Sequence, residues 1–360
     1  MCGIAGVVTA DPHGAGLDQI GAMTRKLAHR GPDGEGFARW PGMAFGHRRL
    51  AIIDRAGGRQ PMESVCGRYT ITFNGEIYNH TALRAILEAD GCAFRTRSDT
   101  EVVLQAYARW GSACVDHLRG MFAFAIRDHR TGNLLLARDP LGIKPLVYHS
   151  APGLFAFASE IQGLRPLAIP AWEPDPVALD QFLTLGYIPS PRTAFRAVRK
   201  LPPGHTIEVG SDGSVSEPRR YWRPTFREEP DRPAPDDAEV EECLRESVRA
   251  HLVADVPFGV LLSGGIDSTV VALLMADLLG DGVQAFTIGF PGGQGDESAA
   301  ASAIARTLGI RHEVRMAVPG ALAALPQIIR NHGEPFGDGS AAPSFLLAAL
   351  AREFVPMVLS

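Results

Sequence analysis

Cys2, in the opening run MCGIAGVV, is the first residue whose type and position suggest chemistry. A chain terminus is a poor place to bury a small hydrophobe, so a cysteine there is either incidental or an exposed nucleophile. Removal of Met1, favoured by a small second residue, leaves Cys2 with both a thiol and a free α-amine. An unperturbed α-amine has a pKa of roughly 8, so part of it is unprotonated near neutrality and can take the thiol proton. Nucleophile and general base then sit on one residue.

A second candidate is SGGIDS, residues 263–268. Gly264 and Gly265 permit a tight turn with close backbone approach, and a following helix would point unpaired N–H groups into that turn, which suits an anion. No G-K-[ST] follows and G-x-G-x-x-G is absent, so neither a Walker A loop nor a dinucleotide fingerprint is present. Asp267 beside a phosphate calls for a divalent cation between the two negative charges. The competing reading is a Gly-containing turn in which Asp267 and Ser268 merely cap a helix.

The elements around these residues have two textures. Over 1–207, RYTITFNGEIYN, GMFAFAIRD, GNLLLARD and GLFAFASE read as strands bounded by Gly, Asn and Asp. Helices are expected through Leu17, Ile20, Met23 and Leu27, and through Val103, Ala106, Tyr107 and Trp110 as far as Gly111. Strands and helices in separate runs predict layered α+β packing. Residues 208–236 hold Pro218, Pro224, Pro230, Pro233 and Pro235 among charges, and read as a linker. Over 237–360 strands alternate with helices: DVPFGVLL, STVVALLMADLLG, VQAFTIGF, ESAAASAIARTLG and RHEVRM. That order predicts a parallel sheet, with SGGIDS between its first strand and first helix.

Composition narrows the class. With 360 residues, 46% hydrophobic and a net charge of −5, the chain is ordinary globular material of about two domains. It has no basic block to argue for nucleic acid. Five scattered cysteines, none in C-x-x-C, argue against a disulfide framework or structural zinc and for the cytoplasm. Neither a signal sequence nor a membrane-spanning apolar run is present.

Here the motifs carry a resemblance. SGGIDS after a buried strand is similar to the pyrophosphate-binding loop of ATP-pyrophosphatase domains, and MCGIAGVV to the start of class II glutamine amidotransferases. Both in this order resemble the glutamine-dependent asparagine synthetase family. RGPDGEG, HRRLAIID, QPM, FNGEIYN, TRSDTEV, LRGMFAFAIRD, GIKPL and ASEI also fit in order, so the resemblance covers essentially all of the chain. It implies an αββα sandwich of the N-terminal nucleophile hydrolase type, then an α/β adenine-nucleotide hydrolase-like domain.

The resemblance makes Cys2 the nucleophile on the glutamine side-chain amide. Asn74 and the Gly75 N–H would stabilise the oxyanion, although N-G is also the strongest hairpin-turn signal. It implies that Arg49, Leu50, Ala51, Ile52, Ile53, Asn74, Gly75, Glu76 and Asp99 bind glutamine. Arg49 suits the α-carboxylate, and Asp99 with Glu76 the α-ammonium. It assigns Leu262, Ser263, Gly264, Gly265, Asp267, Ser268, Ile288 and Ser360 to ATP, with Mg2+ at Asp267 and no tightly bound cofactor. Asp338 and Ser340 would line an aspartate pocket, though a helix cap explains them nearly as well. Glutamine, aspartate and ATP are the implied small-molecule partners, and a homodimer is allowed.

Against the family pattern the chain stops at Ser360, where a Gly-rich acidic turn begins, so the second domain reads as truncated. Four functions stay open: the bifunctional ligase, a glutaminase whose second domain only binds nucleotide, amide transfer to a carboxylate other than aspartate, and a non-catalytic remnant.

Overall fold

The computed structural model describes residues 1–11, 14–169, 172–226, 234–292, 296–317 and 321–360. By its contacts the chain forms two units: Met1–Thr225 with Ile329–Gly337, and Phe226–Ile328 with Asp338–Ser360.

The first unit contains β1 (Gly3–Thr9), α1 (Ile20–Lys26), β2 (Gly34–Trp40), β3 (Met43–Arg49), β4 (Met62–Glu63), β5 (Tyr69–Ile77), α2 (His80–Ala89), α3 (Asp99–Trp110), β6 (Gly120–Asp128), β7 (Leu134–Arg138), β8 (Val147–Ala151), β9 (Leu154–Ala158), α4 (Ile161–Leu164), α5 (Pro176–Leu185), β10 (Arg199–Lys200), β11 (His205–Val209) and β12 (Arg219–Arg220). The strands make two six-stranded sheets, in the orders β10-β8-β9-β1-β3-β2 and β12-β11-β7-β6-β5-β4. Three apolar layers follow from the side-chain alternation. Ile20, Met23 and Leu27 of α1 pack on Ala5, Val7, Ala44 and Ala156 of the first sheet. Ile4, Val8, Met43 and Phe45 meet Ala123, Ala125, Leu134 and Leu136 between the sheets. Leu83, Leu87, Val102 and Val103 cover Ile71, Phe73, Phe122 and Phe124 on the far side. This is the expected αββα sandwich, each sheet burying one face on a sheet and the other on helices.

The α1 signal is realised as a 3-10 turn over Ala15–Gln19 leading into α1, and α3 ends at Gly111 with φ +59°. The Pro-rich stretch read as a linker begins inside the first unit. Val209 and Val215 bridge, Arg219–Arg220 pairs with β11, and the Tyr221 hydroxyl donates to Arg138 O at 2.7 Å. Pro218 lies between the Val215 bridge and the paired Arg219–Arg220, and Pro224 follows the ribbon. Pro230 and Pro233 lie outside the described residues.

Ile329–Gly337 joins the first unit from far along the sequence. The Glu334 carboxylate accepts from Ala194 N–H at 3.0 Å and lies 2.6 Å from Lys200 Nζ, and Gly337 N–H donates to Gly186 O at 2.7 Å.

The second unit holds α6 (Asp237–His251), β13 (Phe258–Leu261), α7 (Ile266–Leu279), β14 (Gln284–Gly289), α8 (Ser298–Leu308), β15 (Arg311–Met316), the start of α9 (Leu325–His332), α10 (Ala341–Arg352) and β16 (Met357–Leu359). The sheet is parallel, as expected, in the order β15-β14-β13-β16. The chain moves one way from β13 to β15 and then crosses to the other side of β13. Ligands of open α/β sheets bind at such a reversal, at the carboxyl ends of the strands.

Candidate active site

Alternation along three strands builds the first site. Ile4 of β1 and Met43 and Phe45 of β3 point between the sheets, so Cys2, His47 and Arg49, two or four residues away, keep that direction. On the opposing sheet Ile71, Phe73 and Ile77 point to the helices, which turns Thr72, Asn74 and Glu76 inward. β1 pairs with β3 at Gly3↔Arg48, so one further step puts Cys2 opposite Arg49. Asn74 and Gly75 lie within β5, paired with Ala123 and Phe122 of β6, which excludes the hairpin-turn reading. A Cβ at Gly75 would sit 2.3 Å from Met121 O and 2.8 Å from Phe122 Cα, so only glycine fits there.

Cys2 is half-buried rather than exposed. Its Sγ receives Leu50 N–H at 3.4 Å and faces Leu50 O at 3.6 Å. Burial pushes its thiol up, opposed by Leu50 and the nearby cationic groups, so the thiol is neutral at rest and needs a base to react. Burial also drops the α-amine at the chain start to about 5, so an amine held there is unprotonated at neutral pH.

Asn74 is 1% exposed, and neither its Nδ2 nor its Oδ1 has a hydrogen-bond partner. A buried amide left this way costs about 1–3 kcal/mol, and such groups gather where a ligand completes the bonding. Glu76 is raised to about 7 by burial, opposed by Lys144, with Asp99 adding to the rise. Asp99, 4% exposed, accepts from Ile77 N–H at 3.1 Å and Thr100 N–H at 2.9 Å, and burial raises its carboxyl too.

Arg49 is partly committed to its own loop: Nη1 donates to Arg55 O at 2.7 Å, and Nη2 to Asp54 O at 2.7 Å and Ile53 O at 3.4 Å. Ala51 and Ile52 are buried behind the loop, and Ala51 N–H is held by Asp33 at 2.9 Å. Sequence reasoning gave no role to Lys144. Its loop is fixed by the fully buried Asp139, whose carboxylate accepts N–H groups of Phe122, Leu141, Ile143 and Lys144 at 2.9–3.2 Å. GIKPL was the available signal, but the spacing says nothing of where the amine goes.

The second candidate site lies at the carboxyl end of the parallel sheet. The Ser263 and Ser268 hydroxyls are 2.9 Å apart, and Gly265 N–H donates to Ser263 Oγ at 3.1 Å. The register places Ile288 level with Ser263, and Ser360 level with Leu261. Leu262 is buried, with its carbonyl accepting from Thr287 Oγ1 at 2.6 Å. Asp267 stands exposed in the first turn of α7, and among the described residues no group of three His, Cys, Asp or Glu side chains gathers as a metal site. A lone carboxylate still fits Mg2+, which takes one or two carboxylates with phosphate oxygens and waters. Glu297, which the sequence reading did not single out, accepts from Gly264 N–H at 3.3 Å. Asp338 and Ser340 are exposed in a local turn before α10, with Ser340 N–H on Asp338 Oδ1 at 2.8 Å, and Ser340 makes no side-chain cap.

Comparison with known proteins agrees with both halves. A family model of the glutamine amidotransferase domain matches residues 1–222, and one of asparagine synthase matches 239–360. The chain is 36% identical over all its length to asparagine synthetase [glutamine-hydrolyzing] 1 of Bacillus subtilis, covering 57% of that protein. It is 38% identical, again over all its length, to a putative asparagine synthetase [glutamine-hydrolyzing] of Mycobacterium tuberculosis, covering 59% of it. The chain thus spans less than two thirds of these relatives. Among solved structures, the glutamine phosphoribosylpyrophosphate amidotransferase of B. subtilis aligns with 90% of this chain and 70% of its own, at 18% identity and a TM-score of 0.46.

Proposed function

Because the chain belongs to the glutamine-dependent asparagine synthetase family, we propose that it hydrolyses glutamine at Cys2 and passes the ammonia to an ATP-activated aspartate, giving asparagine, glutamate, AMP and pyrophosphate. The observation that carries the glutaminase half is the buried, unpartnered Asn74 amide on the sheet face opposite Cys2. With Met1 removed, the Cys2 α-amine takes the thiol proton. Sγ then attacks the glutamine amide carbon, and Asn74 Nδ2–H with Gly75 N–H receives the oxyanion. The same amine returns its proton to the departing ammonia, and water releases glutamate from the thioester. Asp99 and Glu76 hold the substrate's α-ammonium, and Arg49 holds its α-carboxylate. The three loop contacts leave two of the five guanidinium donors for that task.

At the second site, Ser263, Gly264, Gly265 and Ser268 would cradle the ATP phosphates, and Asp267 would hold Mg2+, which neutralises phosphate charge when bound. Leu262 and Ile288 would flank the adenosine, and Ser360 would close the strand-end crevice. We assign Met1–Thr225 with Ile329–Gly337 to the glutaminase domain, longer than the expected 1–207, and the rest of 237–360 to the ATP-binding domain. The five unpaired cysteines support a cytoplasmic setting, and among the described residues no helix is long and apolar enough to cross a membrane. The test is glutamine hydrolysis measured with aspartate-dependent pyrophosphate release from ATP. Glutamate formation without any aspartate dependence would leave a glutaminase only, and neither activity would remove the proposal.

Two expected results follow from substrate binding. Arg49→Lys should raise the KM for glutamine about tenfold, since a point charge replaces a planar fork that also ties down its loop. An unchanged KM would remove Arg49 from the pocket. Glu76, near 7, is ionised only above that pH, so its grip on the α-ammonium weakens as pH falls. The KM for glutamine should rise about tenfold from pH 8 to pH 6. In Glu76→Gln the profile should flatten, and a slope kept by that variant would place the titration elsewhere.

A further inference from the structure

We propose that Glu160 is a positioning residue of the glutamine-hydrolysing reaction, acting through Arg30 on the backbone of Cys2. The inference rests on the proposed glutaminase reading and adds to it residues to which that reading gives no part. Arg30 is 7% exposed, and its Nε donates to the Cys2 carbonyl at 2.8 Å. Its Nη1 donates to Glu160 Oε1 at 2.5 Å, and the second Glu160 oxygen lies 3.0 Å from His29 Nε2. Glu160 is itself mostly buried and follows Ser159, which is fully buried and binds Ile4 both ways: Ile4 N–H to Ser159 Oγ at 3.0 Å, and Ser159 N–H to Ile4 O at 2.9 Å. Residues 159–160 therefore fix the chain start at two points, directly at Ile4 and through Arg30 at Cys2.

Cys2 needs this support because the sheet pairing begins only at Gly3. Strand ends without ladder bonds fray, and a nucleophile displaced by about 1 Å can lose about 10²-fold in rate. Holding the Cys2 carbonyl sets the plane from which Cα projects both Sγ and the α-amine. Glu160 orients the guanidinium and balances its charge. Without that carboxylate, a buried cation would stand beside the amine that must accept a proton.

Glu160→Gln keeps the shape and loses the charge, while Arg30→Lys keeps the ion pair and loses the Nε–H. Each should lower kcat for glutamine at least tenfold with KM changed less than twofold, and the double variant should be no slower than the slower single one. Multiplying losses, an unchanged kcat, or an effect confined to KM would overturn the proposal. Alkylation of Cys2 by iodoacetamide, followed by peptide mass spectrometry, reads the geometry without turnover. It should slow in both variants. A wild-type protein that fails to hydrolyse glutamine overturns the glutaminase reading, and Cys2 alkylation that is unchanged in both folded variants overturns the clamp whatever the activity. If Glu160→Gln does not fold, Arg30→Lys decides by the same two readouts.

Discussion

Cys2→Ala should reduce glutamine hydrolysis by at least about three orders of magnitude, because it removes the atom that carries the covalent intermediate. Cys66, Cys92, Cys114 and Cys243 should each tolerate alanine with near-normal rates. Cys114 is fully buried, with its thiol pushed up to about 12 by desolvation, so it is inert packing and its loss affects stability alone. An equal loss of rate from any of these four would contradict the assignment. The companion experiment keeps the thiol and converts the amine to an amide by leaving an N-terminal tag uncleaved. Burial lowers the amine at the chain start, which leaves its lone pair free near neutral pH, whereas an amide nitrogen has no available lone pair to take a proton. Normal turnover by intact tagged protein would show that the proton goes elsewhere.

Asn74→Ala should lower kcat by about 10²–10³, the usual effect of deleting an oxyanion donor. The melting temperature supplies the sharper half of this prediction. Most buried polar side chains are bonded within the protein, and replacing them destabilises it. Asn74 has no bond to lose, so removing it relieves an unsatisfied amide and leaves only a small cavity. A large fall in kcat with Tm maintained marks a group kept for the substrate. A fall in both would mean that Asn74 serves the fold.

The elements that pack on a single face were legible in the chain. GMFAFAIRD is β6 from end to end, because its alternating residues fill two different cores. VQAFTIGF and RHEVRM are the parallel neighbours β14 and β15. The sequence reading did not include α6, whose apolar Val240, Leu244 and Val248 recur every four residues among many charges directly after the prolines, with only Val248 buried. It also passed over β2, whose Gly34 and Gly36 weaken the alternation. Cys2, Asn74 and Asp99 were found through local motifs. Arg30, Glu160 and Lys144 were not, because their roles depend on partners far along the chain, 130 residues apart for Arg30 and Glu160. Arg49 shows the reverse case: its type suits a bidentate carboxylate, but the carbonyls that occupy part of its guanidinium lie only four to six residues away.

Glu334 gives the first unit a piece that its own stretch of sequence does not encode. The αββα sandwich ends on paper near the proline-rich segment, yet its Lys200 ammonium and Ala194 amide are satisfied by a carboxylate more than a hundred positions later. Residues 1–225 taken alone would carry an empty socket, with a partly buried cation and an amide whose partner had been cut away. The sandwich is therefore not a freely transferable module. Anyone grafting it onto another protein would have to supply the nine residues Ile329–Gly337 as well, in cis or as a separate peptide that docks like a key.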